Sequence, residues 1–326
     1  MGTARLWARL TGMELPSENI LRWLVSRYAS LRASHREAFA ERPLIEPDAR
    51  YFPDAFVGDA SSVAKLLRRM VGYSPLADDL GLEVALVGDD DEACGTGGCH
   101  SGGNCCGGGG DGGAHGGGGV ISRIVEHDDR YRVEVAVDIV TNPVVLGATL
   151  ARLVGTLVLA EAGEQVGRSE EGAMGELAAT ASGLGMLLLN GAAVFRKGCG
   201  GVRVERATEL GVGELGVVLA LFVRVHGAKP AVVRRHLEAT QSEAFDLGLR
   251  WTDSNRTLVE QLSKAPELLE GGAFTVEPIR GIFARLFGGS SKPEVEAAPR
   301  KERTEAERRR IAETKALVED ALRGDP

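Results

Sequence analysis

The chain has 326 residues, 44% of them hydrophobic and 26% charged, the proportions of a folded globular protein, which argue against wholesale disorder and against a bundle of membrane spans. Its 46 acidic and 38 basic side chains leave a net charge of −8, which repels a polyanion and disfavours general nucleic-acid binding. Aromatic residues reach only 5% while glycine reaches 44 residues, so the core is aliphatic and some segment is saturated with glycine.

The first thirty-one residues carry Arg5, Arg9, Glu14 and Glu18 and contain no uncharged apolar run of the length a secretory signal needs, so a cytoplasmic location is expected. Leu6 stands where a myristoylation motif requires Ser or Thr. Leu21, Leu24, Val25, Tyr28 and Leu31 recur at helical spacing behind Ser17, a natural cap, which makes 1–45 a helical lead-in. Pro43, Pro47 and Pro53 punctuate the route to a second helical pattern over 60–73. Residues 82–87 are short, aliphatic and bounded by Gly81 and Gly88, as a strand is. Further strands are predicted over 120–125 and from Tyr131 to Ile139, where apolar and polar residues alternate.

From Thr141 the period becomes helical: Asn142 caps, Pro143 suits a first turn, and 144–160 is apolar except for Arg152. At 17 residues with an internal arginine, this stretch reads as a buried helix and not as a membrane span. Further helices are predicted over 173–195, 207–226, 231–251, 254–269 and 278–286. The expected fold is therefore α+β, a small N-terminal sheet region followed by a helical bundle within one domain of 46–288. Residues 289–299 read as a linker into a charged C-terminal helix, 300–326. With nine acidic and nine basic side chains over 292–326, that tail offers only a thin apolar stripe, suited to docking on one side, on this chain or on a protein partner.

Residues 94–119 contain fifteen glycines in twenty-six positions, together with Cys94, Cys99, His100, Cys105, Cys106 and His115. Thiolates and imidazoles are the ligands that zinc and softer ions prefer, and glycine lets a chain wrap an ion. The spacing lacks the paired CxxC knuckle of a zinc finger. Three readings stay open for this insertion, which spans 89–119: a zinc or other soft-metal site, a redox-active thiol cluster, and an unstructured excursion between two strands. Cys199 is remote from the cluster, and His35, His127, His226 and His236 are isolated in sequence.

Four segments carry a family resemblance. Residues 148–159, ATLARLVGTLVL, resemble the ATLAHELAHVLL helix of bacterial zincin-like proteins bearing an HExxH motif. Residues 51–73 resemble that family's FPDPYDGTPEAVEALLRRVCGYMG segment, 176–190 its DLLTVFLGLGIFTAN, and 215–227 its YGYALALFAWLRG. The order is the family's own and covers roughly residues 50–250. The resemblance implies a zincin-like core and, at an intact site, zinc held by two histidines one helical turn apart with a glutamate as base. Here Arg152 and Leu153 replace the first histidine and the glutamate, Thr156 replaces the second histidine, and Glu176 stands at the downstream acid. Guanidinium has no lone pair to offer a metal, and leucine cannot take a proton. The expectation is a catalytically inactive, metallopeptidase-like binding or scaffold protein with no metal in the degenerate pocket. The alternative is a metal-binding protein that uses the cysteine loop. An Arg152–Glu176 ion pair in the former metal pocket is also expected. If that pair is buried, Arg152→Ala costs about 3 to 5 kcal/mol.

Overall fold

A computed structural model describes residues 13–88, 122–127, 130–198 and 201–279. The cysteine loop, the linker and the charged C-terminal helix lie outside these. The described residues all belong to one compact unit, Met1–Gly281.

Helix α1 (Glu18–Ser34) starts where Ser17 Oγ accepts the Ile20 N–H, and it buries the stripe read from the sequence, with Leu24, Val25 and Tyr28 fully enclosed. The lead-in is thus part of the core. Helix α2 (Ala60–Tyr73) opens on a reciprocal capping box: Asp59 Oδ1 accepts the Ser62 N–H at 2.7 Å, and Ser62 Oγ accepts the Asp59 N–H at 3.1 Å.

Three strands follow: β1 (Leu82–Val87), β2 (Arg123–His127) and β3 (Arg130–Ala136). The sheet order is β1-β3-β2, with β1 parallel and β2 antiparallel to the central strand, so Val133 faces Val84 on one side and Ile124 on the other. Alternation in β3 buries Val133 and Val135 on the core face, as the pattern requires. The strand ends at Ala136, and the chain turns through the short helix α3 (Val137–Val140), earlier than the alternation to Ile139 suggested.

Helix α4 (Pro143–Glu161) is the centre of the fold. Asn142 Oδ1 accepts the N–H groups of Val144 and Val145 at 3.1 and 3.2 Å, and Pro143 fills the first turn, where its missing N–H is not needed. It packs on α2, α5 (Glu171–Ala181) and α6 (Gly185–Gly191). Among the described residues it is the one helix long and apolar enough to cross a bilayer, and 72% of its apolar window is buried inside the fold.

The single helix predicted over 173–195 is divided here. Gly183 takes φ +95° and brings its carbonyl to the Ile45 N–H at 3.1 Å, which ends α5 before α6 begins. After α6 the chain forms a hairpin absent from the sequence expectation, β4 (Val194–Gly198) with β5 (Gly201–Glu205). The remaining helices are α7 (Val212–Val225), α8 (Pro230–Arg234), α9 (Ala239–Ser254) and α10 (Arg256–Lys264), with α7 packed along α9. The predicted 231–251 helix is therefore two, and 254–269 is α10 followed by a 3₁₀ turn, Pro266–Leu268. The architecture is α+β: a three-stranded sheet, a separate hairpin and a predominantly helical core.

Candidate functional site

Helices α4 and α5 meet at two glycines. A Cβ on Gly155 would fall on the Gly175 carbonyl and within 2.7 Å of the Ala179 nitrogen, and one on Gly175 within 2.7 Å of Thr156 Oγ1. This contact sets the walls of a cleft of about 500 Å³, which is closed on its third side by Ser122, Arg123 and Ile124 at the start of β2. Arg152, Leu153 and Thr156 of α4 all line it, together with Arg168 and Glu209. Three of the four positions singled out by the family resemblance therefore border one concavity, with Arg152 and Thr156 a helical turn apart.

Glu176 is the fourth, and it lies beneath the cleft, fully buried on α5. Both of its oxygens are committed: Oε1 accepts the Glu209 N–H at 2.6 Å, and Oε2 accepts the Leu210 N–H at 2.9 Å. The carboxylate thereby pins the turn that leads from β5 into α7. Burial raises its pKa to about 7, against the pull of the two N–H donors and of the nearby Arg152 charge.

The expected Arg152–Glu176 pair is replaced by a different arrangement. Because backbone donors hold both Glu176 oxygens, the guanidinium reaches past them, and Arg152 Nη1 lies 3.7 Å from Glu209 Oε1. The Arg152 side chain is 18% exposed, and its Nε is buried with no hydrogen-bond partner among the described residues. Thr156 Oγ1 donates to the Arg152 carbonyl at 3.2 Å, the habitual back-bond of a mid-helix threonine. Leu153 is 4% exposed and joins the core.

Tested against zinc, this donor set does not fit. It offers a guanidinium without a lone pair, an aliphatic side chain, a hydroxyl turned to its own helix, and a carboxylate already satisfied by backbone. Cys94, Cys99, His100, Cys105, Cys106 and His115 lie outside the described residues.

A second cluster was not foreseen, because its members are distant in the chain. Glu46, Asp48 and His236 place one potential ligand atom each within 4.8 Å of one another. His236 Nε2 is 3.0 Å from Glu46 Oε2, and Arg235 Nη2 approaches the same oxygen at 3.2 Å. The sequence showed His236 only as an isolated histidine in VRRHLEA.

Compared with protein-family models, with curated proteins and with solved structures, the chain matches none.

Proposed function

We propose that this chain is a non-catalytic binding protein of the cytoplasm, built on a zincin-like helical framework whose metal site has been replaced. What supports this reading is one juxtaposition. On α4, Arg152 and Thr156 border a cleft at the spacing of two metal-ligating histidines, and neither offers a metal a usable donor. Glu176, at the position of the downstream acid, serves as a buried anchor for backbone. At the positions of the family's histidines and glutamate, Arg152, Leu153 and Thr156 supply neither a zinc ligand nor a base for a zinc-bound water. A concavity with charged walls remains, and a protein partner is its proposed occupant.

The test pairs an assay with a capture. Tag-free protein is incubated with zinc and a disordered protein substrate, and partners are recovered by affinity purification with the wild type, with Arg152→Glu, and with Cys94, Cys99, Cys105 and Cys106 all changed to Ser. The expected outcome is no zinc-dependent hydrolysis and a partner retained by the cysteine variant but lost by Arg152→Glu. Zinc-dependent cleavage by the wild type overturns the proposal. Loss of the partner in the cysteine variant alone moves the function to the 94–119 loop.

A further inference from the structure

The cluster of Glu46, Asp48 and His236 carries its own chemistry. Glu46 and Asp48 belong to the loop between α1 and α2, and His236 follows α8. Glu46 is 8% exposed, yet only its Oε2 is engaged, and Oε1 accepts no hydrogen bond among the described residues. Glu46 Oε1 is not enclosed, so it is open to solvent and to a ligand.

Hydrogen bonds hold the backbone of Glu46 and His236 and the side chain of Asp48 in place. Asp48 N–H donates to the Glu46 carbonyl at 2.8 Å, Asp48 Oδ1 accepts the Arg50 N–H at 2.9 Å, and the His236 carbonyl accepts Asn190 Nδ2 at 3.1 Å. Asp48 Oδ2 is left without a hydrogen-bond partner among the described residues. Among the described residues, the counter-charge on Glu46 besides His236 is Arg235, whose side chain is 66% exposed and free to withdraw into solvent. Two carboxylates thus meet one guanidinium and one imidazole in this cluster.

We propose that Glu46, Asp48 and His236 bind one divalent first-row cation such as Mn²⁺ or Zn²⁺, in competition with the Arg235 guanidinium. Two cis ligands with bonds of ~2.1 Å stand ~3 Å apart, and His236 Nε2 and Glu46 Oε2 are 3.0 Å apart. One imidazole and two carboxylates form a borderline-to-hard donor set, which suits these ions and excludes those that demand thiolate. Three protein ligands leave positions open on the ion. Asp48 also lines an apolar cleft of about 370 Å³ with Phe52, Phe56, Met70 and Leu146, so a small ligand reaching the ion has a place to rest. This site is separate from the Arg152 cleft and stands or falls independently of the function proposed above.

Mn²⁺ is the probe, since the thiolates of 94–106 have little affinity for it. Tag-free full-length protein is titrated with Mn²⁺, and the free ion is read by electron paramagnetic resonance. Binding of one ion per chain is expected. Asp48→Asn and His236→Gln each weaken it roughly tenfold or more, and both keep the wild-type circular dichroism. Arg235→Ala, which removes the competing cation, binds several-fold more tightly. The proposal is overturned by no saturable binding in wild type or Arg235→Ala up to about 1 mM Mn²⁺. It is equally overturned by binding that Asp48→Asn and His236→Gln leave unchanged.

Discussion

Gly155 of α4 and Gly175 of α5 meet backbone against backbone, and a methyl group added to the first would occupy the carbonyl oxygen of the second. Neither helix can relieve that overlap without moving its backbone, so Gly155→Ala separates α4 from α5 and opens the cleft that Arg152 and Thr156 line. Overpacking of this kind costs about 1–3 kcal/mol or more. Gly147, two turns earlier on the same helix, supplies the control. A Cβ there meets only Leu187 Cδ2, at 3.8 Å. Gly147→Ala is therefore expected to stabilise the protein by up to ~1 kcal/mol through helix propensity. Urea unfolding of the two variants is expected to move the midpoint in opposite directions, and a shared direction contradicts the packing described here.

Glu176 imposes a pH dependence of definite sign. Its folded pKa is raised to about 7 from an ordinary 4.5, chiefly by burial. The folded chain therefore binds a proton that the unfolded chain has released. The stability this contributes is complete below pH 4.5 and is lost as pH rises through 7. Relative to Glu176→Gln, the wild type should lose about 3 kcal/mol between pH 4 and pH 8. A constant difference across that range would show that the carboxyl titrates as it does in the unfolded chain. The glutamine retains one acceptor for the Glu209 and Leu210 N–H groups where the carboxylate has two, a difference that applies above pH 7, where the wild-type group is ionised.

Those two backbone acceptances show where sequence reading stopped. The α4 helix, its cap and its apolar character were legible because Asn142, Pro143 and the run after them are local signals. The stripe of α1 and the alternation of β3 were legible for the same reason. The division of α5 from α6 was not, because it depends on Gly183 meeting Ile45, a contact across 138 positions that leaves no trace in an apolar pattern. The β4–β5 hairpin was hidden by its brevity. At the cleft, the family resemblance singled out Arg152, Leu153 and Thr156, which border one concavity. The same resemblance, with opposite charge, paired Arg152 with Glu176, and the sequence held no sign that backbone donors satisfy that carboxylate. The approach of Glu46 to His236, 190 positions apart, was likewise beyond any local signal.

His226 titrates with the opposite sign to Glu176. It stacks on Phe222 with ring centroids 4.3 Å apart, and its Nε2 lies 3.1 Å from Arg32 Nη1. Burial first, and the Arg32 charge second, lower its pKa from 6.5 to about 4. The stability this contributes is complete above pH 6.5 and is lost as pH falls through 4, where the folded chain resists a proton that the unfolded chain accepts. The ring is partly open to solvent, so screening reduces the effect to about 1–2 kcal/mol. His226→Gln should flatten the acid limb of the stability curve and leave the limb governed by Glu176 in place. An imidazole that titrates near 6.5 by nuclear magnetic resonance would refute the assignment.

Arg152 lowers the Glu176 pKa, behind the two backbone donors, and its variant separates that role from a simple ion pair. Its contact with Glu209 is long, at 3.7 Å, and Glu209 is 60% exposed, so that pair adds little to stability. The loss expected for Arg152→Ala is therefore smaller than for a buried ion pair, about 1–2 kcal/mol at pH 8. It shrinks towards pH 5, where Glu176 is protonated and no longer needs a positive neighbour. The same substitution removes the charge that lowers the Glu176 pKa, so the midpoint of the Glu176 titration moves upward from about 7. Measuring Arg152→Ala in the Glu176→Gln background completes the cycle: coupling between the two residues at pH 8 that disappears at pH 5 is the expected result. Coupling independent of pH would assign Arg152 a packing role in the cleft wall and none in the charge balance beneath it.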